Sequence, residues 1–369
     1  MAGDMVNQNQ AEQLYDATAQ TAYQQAFMRE INPRWSGTCL YLNPPHYAWL
    51  MSWITDCGYG TALITWWTLS LIAFAATAYI WRIWLSPRAG LAIILALCLP
   101  AWFWAFAGGQ NSFFSLLILT GFCGLLLANR DLAAGLVLSL LAFKFQLLIL
   151  PAGLLLVKRR WRAVAGLMTG GILTMIFTAA TSGFDAIYDY AHFGASLGQL
   201  MQLDGFDVHK QHSWHGFFAL LGSGWLSVET IRAATLVASL ATVAWLALLW
   251  RGPWHANRPR FALQLAALMI ATVLTSPHLF QYDMLVITLP AILWYVAAQE
   301  QRVADATPTI PTLLAVGFVW LAVSGFVAAV LPVQLSAPLM LTWLLLLRRP
   351  LQACQESASP AAGPCATAL

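Results

Sequence analysis

Apolar residues come in long blocks with few interruptions. The blocks lie at about 60–86, 90–107, 112–128, 132–157, 163–181, 229–250, 261–276, 285–298, 309–331 and 332–347. Most reach the roughly 20 residues that an α-helix needs to cross a hydrocarbon core about 30 Å thick. The pattern predicts an all-α fold, a polytopic transmembrane helix bundle of roughly nine to eleven spans. Residues 1–349 form one membrane domain in this reading, with 1–59 and 182–228 as polar external segments and 350–369 as a disordered cytoplasmic tail rich in Ala, Ser and Pro.

Composition agrees. Hydrophobic residues make up 60% of the chain and charged residues 9%, too few charges to clothe a water-soluble domain. The net charge of +3 gives no reason to expect a nucleic-acid partner; membrane lipids are the expected surroundings. Six cysteines (Cys39, Cys57, Cys98, Cys123, Cys354 and Cys365) show no ligand spacing. Neither a metal nor a cofactor is expected, and Cys39 with Cys57 is the one pair worth testing for a disulfide.

The placement of charge orients the bundle, because basic residues favour the cytoplasmic side. Arg82, Arg88, Arg130, Lys158, Arg159, Arg160, Arg162, Arg251, Arg258, Arg260, Arg302, Arg348 and Arg349 cluster in loops that alternate with acidic ones. The segments 1–59 and 182–228 hold only Arg29, Arg34 and Lys210 as bases, against Asp4, Glu12, Asp16, Glu30, Asp56, Asp185, Asp189, Asp204 and Asp207. A single crossing by 132–157 would put the basic run 158–162 outside. The block is interrupted by Lys144-Phe145-Gln146 and carries Pro151, so it reads as a re-entrant helical hairpin with both ends cytoplasmic and Lys144 near its tip. One long span with a snorkelling lysine is the alternative. Residues 1–59 face outside with nothing before them to carry them across, so either the short tail crosses on its own or a preceding span is missing, the favoured reading; without one, Asp4 would lie on a mobile tail.

Polar residues at membrane depth are the candidates for function. Lys144 suits a phosphate, or else an ion pair that holds helices together. Gly108-Gly109-Gln110-Asn111 offers two amides for hydroxyls, or is a plain tight turn. Ser276-Pro277-His278 through Tyr282-Asp283 interrupts an apolar region, with His278 donating to a phosphate or tuning a base near neutral pH, or else clamped to Asp283. His209, His212 and His215 tempt one toward a metal, but no carboxylate or Cys completes a set. A loop contacting sugar or headgroup, with Trp214 stacking, fits better. Asp4 and Asp16 read as ordinary surface acids.

The order of these elements resembles glycosyltransferase family 87. It runs from Gly109-Gln110-Asn111 through Ala133-Ala134-Gly135 to Ala142-Phe143-Lys144-Phe145-Gln146, then Pro151 and Arg159-Arg160-Trp161-Arg162. Asn43-Pro44-Pro45 looks like the family's Tyr-Pro-Pro element with Asn in place of Tyr, and Phe145 replaces the usual Pro of Lys-Pro-Gln. The stretch from Ser276 to Asp283 resembles a late external motif, so the similarity covers about residues 1–300. The resemblance implies a GT-C fold and an inverting hexosyltransferase of the bacterial inner membrane with its active site outside. It implies a polyprenyl-phosphate-linked sugar donor, typically mannose, and a lipid or glycan acceptor. The family's catalytic Asp, in a Gly/Val-Asp-hydrophobic element, matches Asp4; Gln110, Asn111, Lys144, Gln146, His278, Tyr282 and Asp283 are the substrate-binding candidates. A transporter or channel using Lys144, His278 and Asp283, or an inactive scaffold, are the competing classes.

Overall fold

A computed structural model describes residues 1–34, 39–85, 88–200, 208–256, 259–305 and 310–356. Arg258, Asp204, Asp207, Cys365 and most of the tail expected to be disordered fall outside the described residues.

The amino-terminal segment is folded, not a mobile tail. Helices α1 (Ala2–Asn7) and α2 (Ala17–Ile31) precede α3 (Pro45–Thr55). Asp16 caps α2, its carboxylate accepting from the backbone N–H of Thr18 and Ala19 at 2.8 and 3.1 Å. Two glutamines one turn apart on α2 pair with alternate residues of an extended segment. Gln20 Oε1 accepts from Tyr41 N at 2.6 Å and Gln24 Oε1 from Cys39 N at 2.8 Å. The Gln-rich composition thus satisfies backbone that no strand partners. Pro44 and Pro45 then set the start of α3, where a missing N–H costs nothing. Met5 is fully buried with Leu14 and Ala48, and Gly3 sits so close to α3 that a Cβ would overlap the Met51–Ser52 peptide.

The apolar blocks become helices, with breaks where proline, glycine or a charge demands them. The first is α4 (Tyr59–Leu85). The block at 90–107 divides into α5 (Ala89–Leu97) and α6 (Pro100–Ala107) at Pro100, and α7 (Ser112–Leu127) follows. Then come α8 (Asp131–Ser139), a 3₁₀ turn over Leu140–Lys144, and α9 (Phe145–Val157). Next is α10 (Trp161–Leu200), bent at Gly183, whose φ of 79° favours glycine. Its second half gives helix to residues 184–200 of the excursion at 182–228. The chain ends with α11 (Trp214–Leu221), α12 (Val228–Leu249), α13 (Pro259–Thr275), a 3₁₀ turn over Asp283–Ile287, α14 (Thr288–Ala297), α15 (Gln301–Asp305), α16 (Ile310–Val330), α17 (Ser336–Leu346) and α18 (Arg348–Glu356). Residues 350–356 are therefore helical, and Leu351 is buried.

Among the described residues, four segments are long and apolar enough to cross a membrane: Tyr59–Leu85, Asp131–Val157, Trp161–Ala195 and Val228–Leu249. Ser112–Leu127, Pro259–Thr275, Asp283–Ala297 and Ala315–Val330 are shorter apolar helices. The chain is an all-helical membrane protein. Helix α13, apolar on every face, is buried from Phe261 to Leu274 and packs against α9, α12, α14 and α17.

Length alone would make Asp131–Val157 a spanning rod, but its contacts do not. Arg160 forms an ion pair with Asp131, so the two ends of the segment meet. A straight helix of 27 residues would hold them about 40 Å apart. Helix α8 runs alongside α10 in the same direction. A Cβ on Gly135 would overlap the Ala163 carbonyl, and one on Gly166 the Leu132 carbonyl. The chain thus ascends through α8, turns at Lys144, where φ −141° and ψ 59° break the helix, descends through α9 and ascends again in α10.

Candidate functional site

The turn of this hairpin meets three other breaks in the helices. The loop at 108–111 is fixed by α4: Trp66 Nε1 donates to Gly109 O at 2.7 Å and Trp67 Nε1 to Phe106 O at 2.9 Å. Gly109 has φ 58°, a conformation that suits glycine. The loop places Asn111 and Ser112 at the start of α7. Its amide and hydroxyl face the break between α13 and α14, which carries His278, Tyr282 and Asp283. The fourth element is the extended segment held by α2, which ends in Asn43.

Lys144 joins them. Its Nζ forms an ion pair with Asp283 Oδ1 and donates to Asn111 Oδ1 at 2.8 Å. Ser112 Oγ donates to the same Asp283 oxygen at 2.6 Å, and Asn111 Nδ2 donates to Asn43 Oδ1 at 3.3 Å. The Tyr282 ring centroid lies 5.7 Å from Nζ, and Gln146 Nε2 donates to His278 O at 3.3 Å. Both charged groups are buried, with side-chain exposures of 8% for Lys144 and 2% for Asp283. Either alone would be expensive at this depth; paired, they cancel much of that cost. An ammonium has three donors. Two are committed here, which leaves one for a ligand.

A cavity of about 640 Å³ opens over the pair. Asn43, Gln110, Asn111, Lys144, Gln146, His278, Tyr282 and Asp283 line it, so all seven substrate-binding candidates meet at one place. Met51, Ile54, Leu63, Trp66, Phe143 and Phe145 contribute apolar wall. Tyr47 stacks on Phe143 at 5.4 Å. His46 is drawn instead toward α10, its Nδ1 lying 3.2 Å from Thr178 Oγ1. Burial depresses its pKa to about 4, so it is neutral at ordinary pH.

Asp4 stands apart from this group. It does not line the cavity, although its neighbours Ala2 and Gly3 do. Its Oδ2 accepts from the Tyr23 hydroxyl at 2.5 Å, and Tyr23 does line the cavity. Burial, and then the bond to Asp4, raises the Tyr23 pKa above its ordinary value, so the phenol stays protonated. The sequence does not single out Tyr23, Asn43 or Ser112 as binding residues. Asn43 sits in a noticed motif; Tyr23 and Ser112 carry no signal in the sequence.

Other expectations resolve differently. Asp283 takes Lys144 as its ionic partner, where a clamp with His278 was the alternative. Trp214 is buried, stacked on Phe218, and its Nε1 donates to Thr242 Oγ1 at 2.9 Å. His212 is buried against Ser336, its Nδ1 2.8 Å from the hydroxyl oxygen, and the backbone of this loop pairs with Leu279 O at 3.0 Å. The 209–215 loop supports the 277–283 break from behind. Among the described residues no group of three or more His, Cys, Asp or Glu side chains gathers as a metal would require. Cys39 and Cys57 are separate, exposed thiols.

The comparison that decides the family is a match to the model of glycosyltransferase family 87 over residues 41–277, more than half of the chain. The chain belongs to glycosyltransferase family 87. No curated protein and no solved structure gives a match. The family 87 match takes in Asn43, Gln110, Asn111, Lys144 and Gln146 and ends at Pro277. Asp4, Tyr23, His278, Tyr282 and Asp283 lie outside it, and the fold brings four of those five to the wall that the matched residues build. Membership makes this a membrane glycosyltransferase.

Proposed function

We propose that this glycosyltransferase moves a hexose, mannose in the first instance, from a polyprenyl-phosphate carrier to a lipid or glycan acceptor at the external membrane face. The observation that carries the reading is the Lys144 ammonium at the hairpin turn. It is buried among amides, retains one donor, and faces a cavity with mixed polar and apolar walls. A phosphate on a lipid carrier needs such a place: a cation for the growing negative charge, and apolar wall for the first isoprene units. The Gln110 and Gln146 amides are suited to sugar hydroxyls, and the Tyr282 ring to a sugar face. Asp283 aims the lysine, and Ser112 holds Asp283.

Asp4 is the base in this reading. The acceptor hydroxyl takes the place of the Tyr23 hydroxyl on its carboxylate, loses its proton to Oδ2 and attacks the anomeric carbon as the phosphate leaves. One displacement inverts the anomeric centre. A GT-C architecture and an outward-facing site in a bacterial inner membrane complete the proposal; the acidic segments 1–59 and 182–228 support that orientation. Asp4→Asn keeps the bond to Tyr23 and should lower sugar transfer about 10²–10⁴-fold, the usual worth of a general base. Binding of the polyprenyl-phosphate donor should stay within about twofold, since an amide still bonds a hydroxyl. Transfer assayed in proteoliposomes at the wild-type rate in Asp4→Asn would remove Asp4 from the mechanism. Saturable uptake of a soluble solute, with no transfer in any form, would replace an enzyme with a transporter.

A further inference from the structure

The hairpin has a second charged end, opposite the turn. A cavity of about 770 Å³ opens there between the starts of α8 and α10, lined by residues 129–133 and 159–162. Four arginines reach it: Arg130, Arg159, Arg160 and Arg162. One carboxylate, Asp131, answers them, and it is taken by Arg160. Among the described residues Arg130, Arg159 and Arg162 have no ion-pair partner, and all three are exposed. Within that ion pair, Arg160 Nε and Asp131 Oδ1 are both buried without a hydrogen-bond partner.

Two further features add positive potential. Helices α8 and α10 run in the same direction and both begin at this cavity, so their unbonded first-turn N–H groups converge on it. No side-chain cap satisfies the first turn of α8. The mouth is not purely polar. Leu132 and Trp161 line it and are 52% and 62% exposed, and Leu156 and Val157, just before the basic run, are 51% and 78% exposed, which is the environment of acyl chains beside a headgroup, with the indole at the interface.

We propose that the base of the hairpin binds the phosphate of an anionic phospholipid. Guanidinium forks match phosphate oxygens two at a time, and the exposed apolar rim favours a lipid over free phosphate. The occupant bridges the start of α8 to the start of α10 and so fixes the base on which the Lys144 turn stands. The assignment concerns binding and does not depend on which sugar, donor or acceptor the opposite cavity uses.

Native mass spectrometry of the full chain, released from nanodiscs of mixed phosphatidylglycerol and phosphatidylcholine, tests it. Wild type should retain phosphatidylglycerol preferentially. Arg130→Gln/Arg162→Gln, which leaves the Arg160–Asp131 pair intact, should lose that retention at least tenfold. Arg29→Gln in the external segment should keep it. A competition arm needs no variant to fold: glycerol 3-phosphate should displace the retained lipid from wild type, and glycerol should not. Equal retention of both lipids by wild type, or undiminished phosphatidylglycerol on the double variant, overturns the site. Inorganic phosphate bound as tightly as the lipid would overturn the lipid assignment and leave a free-phosphate site.

Discussion

At the scale of single residues, Lys144 and Asp283 are the pair on which everything else turns. Removing one partner strands a buried charge, which typically costs about 3–5 kcal/mol. Lys144→Met and Asp283→Asn should each lower the thermal midpoint of the detergent-purified protein. The double variant, with no charge left to strand, should recover most of that stability. Sugar transfer should not return with it, because the free donor of the ammonium is gone. Lys144→Arg should keep partial activity, since charge remains while the fork no longer fits the site of a compact ammonium. Transfer restored along with stability in the double variant would make the pair a helix fastener only. Lys144 could be picked from the sequence because a lone cation in an apolar block is costly. Tyr23 and Ser112 could not, because one hydroxyl looks like any other until its partner is known.

Among the elements, the helical hairpin does most to place the site. Its register against α10 comes from glycines that let backbones touch. Gly135 and Gly166 each lie where a Cβ would overlap a carbonyl on the facing helix, and small residues allow such approach in membranes. Gly135→Ala should destabilise by about 1–3 kcal/mol through overpacking and reduce transfer by displacing the Lys144 turn. Gly153 in α9 has open space around its Cα, so Gly153→Ala should be neutral or gain about 1 kcal/mol in helix propensity. Thermal unfolding of the two variants, side by side, separates close packing from propensity. Equal behaviour would count against the observed register. Proline also acted at this scale, dividing the 90–107 block at Pro100 where hydropathy alone predicts one span.

Over the whole molecule, the two cavities lie at opposite ends of one hairpin, and in the proposed orientation the Lys144 end faces outside. Single-cysteine variants that keep Cys39 or Cys57 should react with an impermeant thiol reagent from outside. A variant keeping only Cys354, and Lys158→Cys on a cysteine-free background, should react only after permeabilisation; reversed labelling would invert the orientation and the external site with it. By itself the sequence determined that the chain is helical and membrane-embedded, that 132–157 is interrupted by a lysine and followed by a basic run, and which polar residues stand out. Those follow from local quantities: block length, charge placement and the cost of a polar group in lipid. Tertiary structure decided which of those residues meet. It took Lys144 to Asp283 where His278 was a rival partner, buried Trp214 and His212 as support, and folded the amino-terminal segment so that Tyr23 stands between Asp4 and the cavity. Contacts between residues 19 to 171 positions apart are set by how helices pack, and no window along the chain contains that information.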